Sequence, residues 1–133
     1  MTGPIHQEII LEASPGRVYE ALLDSKAFSA FTGRAAEIDR APGGAFSCFG
    51  GFITGRTIEL VPDRRIVQAW RVGNWPEGTY SIVRFELLAQ GSETRLVMDH
   101  AGFPEELRSH LAGEQPEGGW HRQYWEPLQK YLG

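Results

Sequence analysis

At 133 residues, 41% of them hydrophobic and 23% charged, the chain has the size and balance of one globular domain. A formal net charge of −4 and the lack of any basic stripe exclude nucleic acid as a main partner. No apolar run approaches the roughly 20 residues that span a bilayer, the first residues do not read as a signal peptide, and the single cysteine, Cys48, forms no internal disulfide, so a cytoplasmic protein is expected.

Residues 5–12 alternate, with Ile5, Ile9 and Leu11 on one face and His6, Glu8 and Glu12 on the other, which predicts a strand. Ser14-Pro15 then supplies an N-cap and a first-turn proline for a helix whose buried stripe is Val18, Ala21 and Leu22. Asp24-Ser25 breaks it, and a second short helical segment carries Phe28 and Phe31 as far as Gly33. From Arg34 the period changes to two. Strands are predicted at 35–40, 45–49, 52–61, 65–72, 79–89 and 93–100. They are punctuated by Ala41-Pro42-Gly43-Gly44, Gly50-Gly51, Pro62-Asp63-Arg64, a loop at 73–78 and Gln90-Gly91-Ser92, with Gly55 read as a bulge. Residues 102–119 form the longest irregular stretch, and a helix runs from Trp120 to Leu132.

That last helix gathers Trp120, Tyr124, Trp125, Leu128, Tyr131 and Leu132 on one side, with Arg122, Glu126 and Lys130 opposite. Burying each large side chain is worth roughly 1.5–3 kcal/mol, so the stripe must lie on a broad apolar surface. Pro127 reads as a kink or a first-turn proline. Strands joined by short turns are antiparallel neighbours. The expectation is therefore an α+β fold in which a curved seven-stranded antiparallel sheet wraps round the C-terminal helix, with two short helices after the first strand.

The order and spacing of several short motifs resemble a known family. They are Glu12-Ala13-Ser14-Pro15 with Val18; Pro42-Gly43-Gly44-Ala45-Phe46; Gly55 with Glu59 and Pro62; Trp70-Arg71; Phe85-Glu86-Leu87; Thr94-Arg95-Leu96 with His100, Gly102 and Phe103; and Gly119-Trp120 with Trp125, Pro127-Leu128 and Tyr131-Leu132. The chain resembles the family named for homology to the C-terminal domain of the activator of the heat-shock-protein-90 ATPase. That family lies within the START and birch-pollen-allergen-like helix-grip superfamily (SRPBCC). The resemblance implies a helix-grip fold with an internal apolar cavity, and members that include ligand binders, cyclase-type enzymes, stress proteins and a co-chaperone domain. The full-length chaperone activator carries its main stimulating motif in a separate N-terminal domain, for which this chain has no room, so stimulation by this chain alone is not expected.

Alternation puts Leu96, Met98 and His100 on one face, Val83, Phe85 and Leu87 on another, and Ile66, Gln68, Trp70 and Val72 on a third. Trp70, Phe85, Met98 and His100 are expected to face the terminal helix, opposite Trp120, His121 and Tyr124. These seven residues line a ligand pocket or simply form a filled core. Gln68, His100, His121 and the Tyr124 hydroxyl favour the pocket, since each needs a polar partner in a dry interior. His100 is the candidate for proton transfer. The four histidines show no metal-ligand spacing, and neither a metal nor a cofactor is expected. The leading expectation is a monomer or homodimer that binds a small apolar or aromatic molecule. The alternatives are a stress-response or co-chaperone protein that meets a chaperone through its surface, or a cyclase or hydrolase using His100 with Tyr124.

Overall fold

The computed structural model describes residues 5–72, 75, 79–103 and 124–132. Seven strands form one antiparallel sheet: β1 (Ile5–Leu11), β2 (Glu37–Ile38), β3 (Ala45–Cys48), β4 (Ile53–Val61), β5 (Arg65–Val72), β6 (Ser81–Gln90) and β7 (Glu93–Ala101). Their order across the sheet is β1-β7-β6-β5-β4-β3-β2. Consecutive strands from β2 to β7 are neighbours, as short turns require. The first strand instead pairs with the last, Ile5 opposite His100 and Leu11 opposite Thr94. The chain crosses from one edge to the other through α1 (Pro15–Leu23) and α2 (Ser25–Thr32).

The caps follow the sequence signals. The Ser14 hydroxyl accepts from the Arg17 N–H at 3.4 Å, and Pro15 opens α1, where a missing N–H costs nothing. Asp24 does two jobs. Its N–H closes α1 on Glu20 O at 2.8 Å, and its carboxylate accepts from the Ala27 N–H at 2.9 Å to start α2. Gly33, at φ 73°, ends α2 in the left-handed conformation that a side chain resists. Val18, Ala21 and Leu22 are buried as expected, together with Tyr19 and Leu23.

The sheet departs from expectation at Gly55. The bulge lies two residues on, where the register slips between Thr57 and Glu59. Gly55 is regularly paired, opposite Phe46 and Trp70. It is glycine because a Cβ there would sit 1.9 Å from Ala69 O and 2.7 Å from Cζ of Phe46. Gly50-Gly51 is a 3₁₀ turn, Phe49–Gly51, rather than a two-residue hairpin. Phe49 itself has φ 54°, a strained value for an aromatic residue. Its ring is held edge-on to Phe28 at 5.7 Å.

At the C-terminal end, Tyr124 and Trp125 form a π-helical turn that leads into α3 (Glu126–Leu132). Pro127 is the second residue of α3, directly after this π-helical turn. Trp125, Leu128 and Leu132 are buried, but Tyr131 is 43% exposed and does not belong to the inward stripe. The stripe is narrower than the aromatic content suggested, because Tyr131 lies over the edge of Phe31 with ring centres 6.2 Å apart. Trp120 and His121 lie outside the described residues.

Candidate functional site

The inner face of the sheet, under the terminal helix, is where five of the expected residues meet. Trp70, Phe85, Met98, His100 and Tyr124 are all buried. Strand alternation places them there. Every second residue of β7 from Thr94 to His100 is buried, as is every second residue of β6 from Ser81 to Leu87. Register then sets Phe85 beside Met98 and Val83 beside His100.

Tyr124 is the hub. Its ring lies 5.6 Å from Phe28, 5.7 Å from Phe49, 6.3 Å from Trp70, 6.3 Å from Phe85 and 5.9 Å from Trp125. These are the offset and edge-on separations of packed aromatic rings. Trp125 is anchored at its polar end, where its Nε1–H donates to Oε1 of Gln7 on β1 at 2.7 Å. That bond ties the helix entrance to the edge strand.

His100 has a partner that sequence spacing did not reveal. Its Nε2 lies 2.8 Å from the Ser81 hydroxyl, which in turn lies 3.3 Å from the carbonyl of Trp70. The one serine proton goes either to the Trp70 carbonyl, with the histidine donating through Nε2, or to an unprotonated Nε2, so the imidazole tautomer sets the direction of this contact. The Trp70 ring stands edge-on to the imidazole at 5.3 Å, and Phe103 lies 5.1 Å away on another side. Burial pushes the His100 pKa down from 6.5 to about 3. The same cause raises the Tyr124 hydroxyl well above its ordinary value. Both groups are therefore held neutral at physiological pH, the reverse of an acid–base pair poised near 7. No carboxylate, lysine or arginine is buried among the described residues. Cys48 is buried too, its thiol pushed up to about 12 by desolvation, and behaves as a small apolar residue. Among the described residues no group of three or more metal-ligating side chains comes together.

Two buried polar side chains lie side by side in the sheet. Thr57 on β4 is opposite Gln68 on β5, and both are buried. Among the described residues the Thr57 hydroxyl has no hydrogen-bond partner. Described residues line several open surface grooves. One of about 570 Å³ lies between Ala45, Thr54, Arg56, Ala69 and Tyr80. Among the described residues no helix is long and apolar enough to cross a membrane.

The family model for Activator of Hsp90 ATPase homolog 1-like protein matches residues 12–133. The chain belongs to this family. It is 30% identical over 120 residues to the "Activator of 90 kDa heat shock protein ATPase homolog 1" of Homo sapiens, covering 90% of this chain and 34% of that protein. It is 32% identical over 113 residues to the corresponding homolog of Dictyostelium discoideum, covering 84% of this chain and 28% of that one. The chain thus spans about a third of the length of the curated relatives it matches. Among solved structures, an HSP90 activator from Plasmodium falciparum superposes with a TM-score of 0.83 at 25% identity, covering 99% of this chain and 97% of the other. The Aha1 dimer from Colwellia psychrerythraea shares the fold at a TM-score of 0.80 and 18% identity, over 98% of this chain and 97% of the other.

Within this Hsp90-activator family fold, the motif residues are mostly structural. Ser14-Pro15 caps α1, Gly55 admits the Phe46 ring, and Trp70, Phe85 and Trp125 fill the core. They identify the family because they build the fold.

Proposed function

We propose that this chain is a co-chaperone-type module that binds an Hsp90-class chaperone through its outer surface. The observation that carries this reading is its similarity, along most of its length, to proteins named as activators of that chaperone's ATPase. The packing of the inner face agrees with it. Trp70, Phe85, Met98, His100 and Tyr124 are all buried, so a macromolecular partner would be met by other, exposed residues. The chain is a monomer or a homodimer in this reading, and light scattering separates the two. The deciding experiment is binding of purified chain to purified Hsp90 by surface plasmon resonance, with ATPase turnover measured alongside. Saturable binding with weak or no stimulation is expected. No binding up to about 100 µM, the range of weak protein contacts, would remove the proposal.

A second reading keeps the inner face as a site for a small apolar or aromatic molecule. The orphan Thr57 hydroxyl beside Gln68 is what favours it, because a buried polar group costs free energy until it is paired. Native mass spectrometry and thermal shift against lipids, polyketides and aromatic acids test it. A retained mass that disappears in Thr57→Val supports it, and a panel without a single hit rejects it.

A further inference from the structure

The outer face of the sheet carries an unbroken run of ion pairs across five strands. Arg95 on β7 pairs with Glu8 on β1. Glu8 meets Nε2 of His6 at 2.7 Å, and Nδ1 of His6 meets Asp99 on β7 at 2.7 Å. Asp99 lies 3.6 Å from Arg84 on β6, which lies 3.6 Å from Glu86. Glu86 is 3.3 Å from Arg65 on β5, and Arg65 is 3.2 Å from Glu59 on β4. His6 and the Arg95–Glu8 pair both join the edge strand to β7.

We infer that His6 bridges Glu8 and Asp99 as an imidazolium, and that its second proton helps to fasten the edge strand β1 to the sheet as a clasp that loosens when the ring is deprotonated. The reason is donor counting. An ionised carboxylate only accepts, so each ring nitrogen facing one at hydrogen-bond distance must carry a hydrogen. Neutral imidazole has one such hydrogen and imidazolium has two. The alternative, a proton on Glu8 or Asp99, is opposed by the arginines behind them, Arg95 at Glu8 and Arg84 at Asp99. Charge balance agrees. The run holds three guanidinium groups and four carboxylates, and a protonated His6 evens them.

Among the described residues the groups facing His6 are Glu8 from its own strand and Asp99 from β7, both of opposite sign. They raise its pKa above 6.5, the Asp99 hydrogen bond most and the Glu8 bond next. The sign of the linkage follows. A folded-state pKa above the unfolded value gives stabilisation that is complete below the unfolded pKa. It is lost as pH rises through the folded pKa, because each deprotonated ring leaves one nitrogen lone pair facing a carboxylate. The side chain is half-exposed, so added salt weakens the clasp.

Nitrogen-15 NMR of the full chain tests this directly. Both ring nitrogens of His6 are expected in the protonated shift range below its titration midpoint, which lies above 6.5 and which Asp99→Asn lowers. Hydrogen-exchange protection of β1, corrected for the intrinsic rate at each pH, is expected to fall across that midpoint. In His6→Gln the step should be absent. A His6 midpoint at or below the ordinary value, or an identical protection step in His6→Gln, overturns the inference. The wild-type titration decides even if a variant does not fold.

Discussion

Acid titration of His100 offers the sharpest test of how the interior is built. In the folded protein its pKa is depressed to about 3, whereas the unfolded chain titrates near 6.5. Between those values the unfolded state binds a proton that the native state refuses. Stability therefore falls as pH drops below about 6.5, by about 1.4 kcal/mol per unit, and levels off near the folded value. From pH 7 to pH 5 the loss assigned to this one ring is about 2 kcal/mol. That is a large part of the 5–15 kcal/mol, roughly, that holds a domain folded. His6 has the opposite sign, its folded pKa being raised, so it does not mimic the effect over this range. Urea unfolding followed by tryptophan fluorescence at both pH values gives the wild-type change. His100→Gln, which retains a donor toward Ser81, gives the background. The wild type is expected to lose about 2 kcal/mol more than the variant. Parallel losses in the two proteins, or a directly measured His100 midpoint near 6.5, would refute the picture of a wholly desolvated imidazole.

Three further outcomes follow from the geometry. Gly55→Ala is expected to cost about 2–4 kcal/mol in urea unfolding, because its Cβ meets backbone that cannot step aside; a neutral result would mean that β4 and β5 separate freely. Asp24→Ala is expected to cost about 1 kcal/mol and to lower helical circular dichroism, since the carboxylate caps α2. Cys48 is expected to react with iodoacetamide only through unfolding, its thiol being buried and its pKa near 12; alkylation at the rate of a free thiol at pH 8 would contradict its burial.

Local patterning determined a great deal of this protein. Ser14-Pro15 is a helix signal that acts within four residues, as expected, and Asp24, expected only as a break, also caps the second helix. The period of two in residues 81–100 put Phe85, Met98 and His100 on the buried face, because alternation is a property of the strand itself. Seven strands, two helices and a capping helix were legible for the same reason.

What only tertiary structure decided depends on which strands lie side by side. Ser81 is nineteen residues from His100, and their hydrogen bond exists because β6 and β7 pair in one register. Gly55 looked like a bulge because glycine in a strand has two causes, a slipped ladder or a close neighbour, and the neighbour is the Phe46 ring from the adjacent strand. His6 and Asp99 meet because the first strand pairs with the last, across 93 positions of chain. Sequence periodicity tells which face a side chain takes. Register, which is set by the whole sheet closing at once, tells what it touches.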